Sequence, residues 1–115
     1  MSVRRGDIVL IPFPFTDLTS SKIRPAIVIS AEPQGNDVII AFISSIVPES
    51  IGKTEYLLTS KNPDFTLTGL KKDSVFKMNK LLTISSALIL RRLGRIGSAT
   101  QKELNNCLKK ALELA

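Results

Sequence analysis

Histidine is absent from this chain of 115 residues, and cysteine occurs once, at Cys107. The first absence excludes Ser-His-Asp and Cys-His catalysis and leaves no imidazole to serve as base or metal ligand. The second excludes an intramolecular disulfide. Together they point to a reduced, metal-free protein that needs no cofactor. A phosphate-cradling glycine loop is also missing, because Gly52-Lys53-Thr54 lacks the upstream glycine and the following helix of a Walker motif. The acids offer no general acid/base pair: Asp7, Asp17, Asp37, Glu49, Asp64 and Asp73 fall mostly at strand ends and turns, where solvated carboxylates are usual. Long apolar runs are lacking too. "MSVRRGD" leads into a run too short for a signal h-region or a membrane span, so a cytoplasmic protein with no membrane partner is expected.

Basic residues are in excess, sixteen Lys and Arg against ten Asp and Glu, for a formal charge of +6. That balance favours a polyanionic partner. The cations are dispersed, with local pairs at Arg4-Arg5, Lys71-Lys72, Arg91-Arg92 and Lys109-Lys110, so folding must assemble any basic surface. The length corresponds to a single domain over 1–115, small enough that burial against a second subunit would help it.

"IVLI" at 8–11 reads as a strand that ends near Pro12, and Pro25 opens a second, "AIVIS". The turn "EPQGND" leads to "VIIAFISSI", which forms a hairpin with the second strand. "TEYLLT" is a fourth strand, and "KKDSVFKMNKLLTI" is a fifth strand or a bent pair. "SSALILRRLG" has a serine start, terminal arginines and a closing Gly94, which predict a short helix. From Ser98, "SATQ" fits a capping box, and Leu104, Cys107, Leu108, Ala111, Leu112 and Ala115 share a stripe, so the last 18 residues read as an amphipathic helix. The expected fold is a small, mainly β barrel with helical trim.

The polar residues near strand ends are Arg24, Ser44, Ser45, Lys77 and Asn79. The proline after Arg24 restricts it to extended backbone, so its guanidinium is carried on a stiff segment; it either guards a strand from edge pairing or presents a fixed donor. Serines in an apolar strand need partners if buried, and otherwise mark its polar face or its end. Lys77 and Asn79 are two apart and share a strand face opposite Met78, where they either contact phosphate and base or are simply solvated.

In combination, "RRGDIVLIPFPFTD", "KIRPAIVIS", "AFISS" and "KKDSVFKMNKLLTI" resemble the PemK/MazF toxins of type II toxin–antitoxin systems, in the family's order from about Val3 to Ile96. The resemblance implies an SH3-like barrel of the MazF/PemK/CcdB kind that dimerises and is neutralised by an antitoxin, here expected to be acidic. It also implies a metal-independent endoribonuclease on single-stranded RNA, in which the 2′-hydroxyl attacks the adjacent phosphate to leave a 2′,3′-cyclic phosphate and a 5′-hydroxyl. On that footing Arg24 and Ser44 are catalytic, and Lys77 and Asn79 contact RNA, with Asn79 standing where several relatives carry an acid. Thr16, Asp17 and Lys22 belong to the loop that borders the RNA groove. Two other readings share the barrel: a protein-binding toxin of the gyrase-poison type, and an RNA-binding module without chemistry.

Overall fold

The computed structural model describes residues 2–13 and 22–114. Six strands, β1 (Asp7–Phe13), β2 (Lys22–Ala31), β3 (Asp37–Ser44), β4 (Glu55–Leu58), β5 (Ser74–Ser85) and β6 (Arg91–Arg95), form one sheet in the order β4-β5-β3-β2-β1-β6. Every pairing is antiparallel. The helices are α1 (Phe65–Thr68) and α2 (Ser98–Ala111).

The central strands are apolar without alternation because both of their faces are covered. Ile8, Ile27, Ala41 and Ile43 point into a core that Phe76, Met78, Leu104 and Cys107 complete. Val9, Ile11, Ala26, Val28, Val38 and Ile40 point the other way, into a second core closed by Ile84 and Ile89. Period-two side chains on a sheet buried on both sides leave no position for a polar residue until the strands end. Polar site residues are therefore found at strand ends, as Arg24 and Ser44 are, or where the ladder is broken, as Lys77 and Lys80 are beside the β5 bulge.

The β2–β3 hairpin forms as expected, and β4 is the fourth strand. β2 begins at Lys22, three positions before Pro25; its pairing with β3 starts only at Ala26, so the proline removes no donor from that ladder. β5 is one bent strand. Its pairing with β3 jumps from Ala41↔Leu81 to Phe42↔Lys77, which leaves Met78, Asn79 and Lys80 as a bulge.

Two expectations about the C-terminal third are corrected. "SSALILRRLG" is not a helix: Ser86–Leu88 make a 3-10 turn, and Arg91–Arg95 pair with β1. Gly94 is not a helix cap either. It sits where β6 crosses α1, and a Cβ there would overlap the Leu67 carbonyl oxygen. The short helix lies instead at Phe65–Thr68, in a stretch that reads as a plain connection. The terminal helix is real but runs for 14 residues to Ala111, and its buried stripe is Thr100, Leu104 and Cys107, with Leu112 exposed. Its N-cap is Gly97, not a serine capping box. Asp64, from the loop before α1, accepts from Gly97 N (3.1 Å) and Thr100 Oγ1 (2.7 Å), so a distant carboxylate does the capping. A side chain on Gly97 would collide with that carboxylate.

No helix of the described residues is long and apolar enough to cross a membrane.

Candidate functional site

The β2–β3 ladder ends at Ala26↔Phe42. Two residues further out in the same register stand Arg24 and Ser44, the last residue of β3. Both line a cleft of about 260 Å³, with Phe42, Ile46, Lys77 and Lys80 among its other walls. Arg24 is exposed and Ser44 half-buried. β1 supports Arg24 from the other side through the pair Ile11↔Arg24, so its backbone lies in regular strand up to the cleft edge. Lys77 comes from β5, paired with Phe42 on one side and Glu55 on the other.

The Ser44 hydroxyl oxygen accepts the Ile46 N–H at 3.1 Å, which folds the chain back as β3 ends. A hydroxyl that accepts in this way keeps its own O–H to donate. Among the described residues that line the cleft there is no carboxylate, while Arg24, Lys77 and Lys80 contribute three cations. Such a lining concentrates positive potential and attracts anions. The cleft can therefore hold a phosphate between a guanidinium and a hydroxyl, with two ammonium groups nearby.

The residues singled out in the sequence separate into three groups. Arg24, Ser44 and Lys77 are brought together. Asn79 and Lys22 are exposed and do not line the cleft; Asn79 lies in the β5 bulge, and Lys22 opens β2 opposite Phe13. Thr16 and Asp17 lie outside the described residues. Around Met78 burial alternates as the strand reading requires, Met78 being buried between the half-buried Lys77 and the exposed Asn79, yet the bulge puts Lys80 into the cleft lining in place of Asn79. Ser45, singled out with Ser44, also lines the cleft, whereas Lys80 was not legible in advance, because its position follows from the bulge.

The chain matches, over residues 4–112, the model of the PemK-like, MazF-like toxins of type II toxin–antitoxin systems. It belongs to that family. Solved MazF-like structures share its fold at low identity. An endoribonuclease from a mycobacterial species, in complex with its cognate antitoxin, superposes with a TM-score of 0.76 at 15% identity, covering 99% of this chain and 98% of that one. The Mycobacterium tuberculosis toxin MazF-mt6 gives 0.74 at 20% identity, covering 95% and 98%. A chain of a MazE–MazF structure from Deinococcus radiodurans gives 0.75 at 15% identity, covering each chain completely. No curated protein matches the sequence. The fold of this MazF-like toxin is thus the small SH3-like barrel expected, mainly β with two helices.

Cys107 stands apart from the site. It is buried in the α2–sheet core, and its thiol donates to the Glu55 carbonyl oxygen at 3.6 Å. Burial pushes the thiol above its ordinary value near 9.0; Lys110 opposes that shift and Glu103 adds to it. It is a structural residue.

Proposed function

We propose that this MazF-like toxin is an endoribonuclease that cuts single-stranded RNA, the 2′-hydroxyl attacking its own 3′-phosphate. In that reaction the 2′-oxygen bonds to phosphorus as the bond to the 5′-oxygen breaks. The 2′-proton leaves, and the departing oxygen takes a proton, so the products are a 2′,3′-cyclic phosphate and a 5′-hydroxyl. Charge builds on the phosphoryl oxygens between these two events. Arg24 offers a planar fork of donors to them from a stiff strand, and the Ser44 O–H offers a third. Arg24 acts as a charge stabiliser rather than a base, since a guanidinium does not give up its proton in a protein. Lys77 and Lys80 hold the strand through its phosphates, with Asn79, Lys22, Thr16 and Asp17 contacting the RNA around the cleft.

The observation that carries this reading is the convergence of Arg24 and Ser44 on one cleft with no acid among the described residues that line it. Of the other two readings, a gyrase-poison-like surface gives no reason for a guanidinium and a hydroxyl to face each other, whereas phosphoryl transfer does. The similar mycobacterial endoribonuclease was solved in complex with its cognate antitoxin, which supports neutralisation of this chain by a cognate antitoxin, of acidic character to suit the +6 charge. A homodimer is part of the proposal: Ile46 is 80% exposed at the cleft, with Val47 and Ile23 also exposed, and a second copy covers such apolar surface.

The experiment is to incubate the purified protein with mixed-sequence RNA in EDTA, beside the same sequence with 2′-deoxy sugars. Cutting of the ribose strand alone, with cyclic-phosphate ends, is the expected result. Tight binding without cutting would instead assign a binding module, and neither binding nor cutting would favour a protein-directed toxin.

A further inference from the structure

A second cleft, of about 370 Å³, opens on the other side of Arg24. Arg24, Ile43 and Ser45 line both, so the two clefts adjoin along a shared wall and together make a trough. The second part has its own chemistry. Its walls include the apolar Leu10, Pro25, Leu70 and Leu93, and its charged groups are Lys71, Lys72 and Arg91. No carboxylate lines it among the described residues. Arg92 with Asp7 is the one ion pair among those residues, so Lys71, Lys72 and Arg91 carry unneutralised charge.

We propose that this second cleft binds the nucleotide next to the scissile linkage, its sugar and base against Leu10, Leu70 and Leu93 and its phosphate against Lys71, Lys72 and Arg91. The inference rests on the ribonuclease reading and extends it to the length of strand the toxin grips. Three features argue for it. The volume falls within the range of about 300–1,000 Å³ that ligand pockets occupy. The cations come from two segments distant in sequence, the approach to β5 and the edge strand β6, which folding brings to one rim. Arg24 lines both clefts, so a strand whose phosphate sits on that guanidinium has its next unit within reach of this one. An acidic peptide would also meet the cations, but it does not account for the shared Arg24 wall. Among the described residues the apolar wall has no aromatic ring on which a base could stack, so their grip is by van der Waals contact and tolerates any base.

The test measures binding of mixed-sequence 2′-O-methyl RNA, which cannot be cut because its 2′-oxygen is blocked, and so reads the strand's grip separately from cleavage. Lys71→Ala/Lys72→Ala is expected to weaken this binding roughly tenfold at low salt and to make the slope of log affinity against log salt less negative by about 0.7, the one phosphate contact this cleft supplies. Lys71→Arg/Lys72→Arg should restore both; it keeps the charge and guards against a folding artefact. An unchanged affinity and slope in the alanine variant would overturn this inference while leaving RNA cleavage by the parent protein intact. Loss of affinity for an oligo-glutamate peptide, with RNA binding unchanged, would assign the cleft to an acidic protein and overturn it as well. If the parent protein neither binds this RNA nor cuts the ribose strand, the ribonuclease reading falls and takes this inference with it.

Discussion

Arg24 and Ser44 face each other across the open end of the β2–β3 ladder, two residues beyond its last pair, and both line the same cleft. The relationship is imposed by the hairpin register: a one-residue slip would turn both side chains to the opposite face. The Ser44 hydroxyl has two duties that substitution can separate. Ser44→Ala removes the acceptor for Ile46 N–H and the donor to phosphate, and is expected to lower cleavage 10- to 100-fold, about 1.4–2.7 kcal/mol of transition-state stabilisation. Its cost to stability is about 0.5–1 kcal/mol, since the lost hydrogen bond is exposed. Ser44→Thr keeps the hydroxyl and should retain most activity. Cleavage kinetics beside urea melts of the two variants check this.

Asp64 holds the start of α2 from another part of the chain. Asp64→Ala leaves Gly97 N–H and the buried Thr100 hydroxyl without their acceptor, and should destabilise the protein by about 1–2 kcal/mol in urea. Thr100→Val removes only one of the two donors and should cost less.

Leu104 is fully buried where α2 meets the sheet. Leu104→Ala is expected to cost about 2–5 kcal/mol, through lost transfer energy and the cavity left behind. Equilibrium unfolding measures it; a loss under about 1 kcal/mol would mean that α2 is not part of the cooperative core.

The Cys107 thiol has a raised pKa in the folded protein, chiefly from burial. A group raised on folding contributes stability that is full below its unfolded value and is lost as pH climbs from there through the folded value. Stability should therefore fall above about pH 9 with a component that Cys107→Ala removes. In the native protein at neutral pH the thiol should alkylate far more slowly than after denaturation, which a thiol reagent with and without urea will measure.

Much of this molecule is readable along the chain, and the exceptions share a cause. β1 to β3 announce themselves as β-branched runs and β4 as a short run of Tyr and Leu, with proline and glycine in the stretches between, and the basic excess points to an anionic partner. Arg24 and Ser44 are conspicuous because polar residues break apolar runs only at strand ends in a sheet covered on both faces. Leu88 to Arg92 looked helical for local reasons, a leucine-rich run closed by arginines and a glycine. Its strand exists because β1 had a free edge, to which Leu90 N–H donates at the Leu10 carbonyl oxygen. Nothing near Leu90 in sequence encodes that edge. Lys80, Lys71, Lys72 and Arg91 were likewise hidden, since their place in the trough depends on a bulge in β5 and on the pairing of β6 with β1. The Asp64 cap eluded local capping rules for the same reason: its partners lie 33 and 36 residues away.

The measurement that bears most directly on the account compares the parent protein with Arg24→Ala on ribose and 2′-deoxy strands in EDTA. Arg24 is exposed, so the variant should fold normally, and its far-ultraviolet circular dichroism and urea midpoint should match the parent. The predicted result is a loss of about 10²–10³-fold in cleavage of the ribose strand, no cutting of the deoxy strand by either protein, and only partial recovery in Arg24→Lys, which keeps the charge but not the fork. An Arg24→Ala protein that cuts the ribose strand at the parental rate would contradict it.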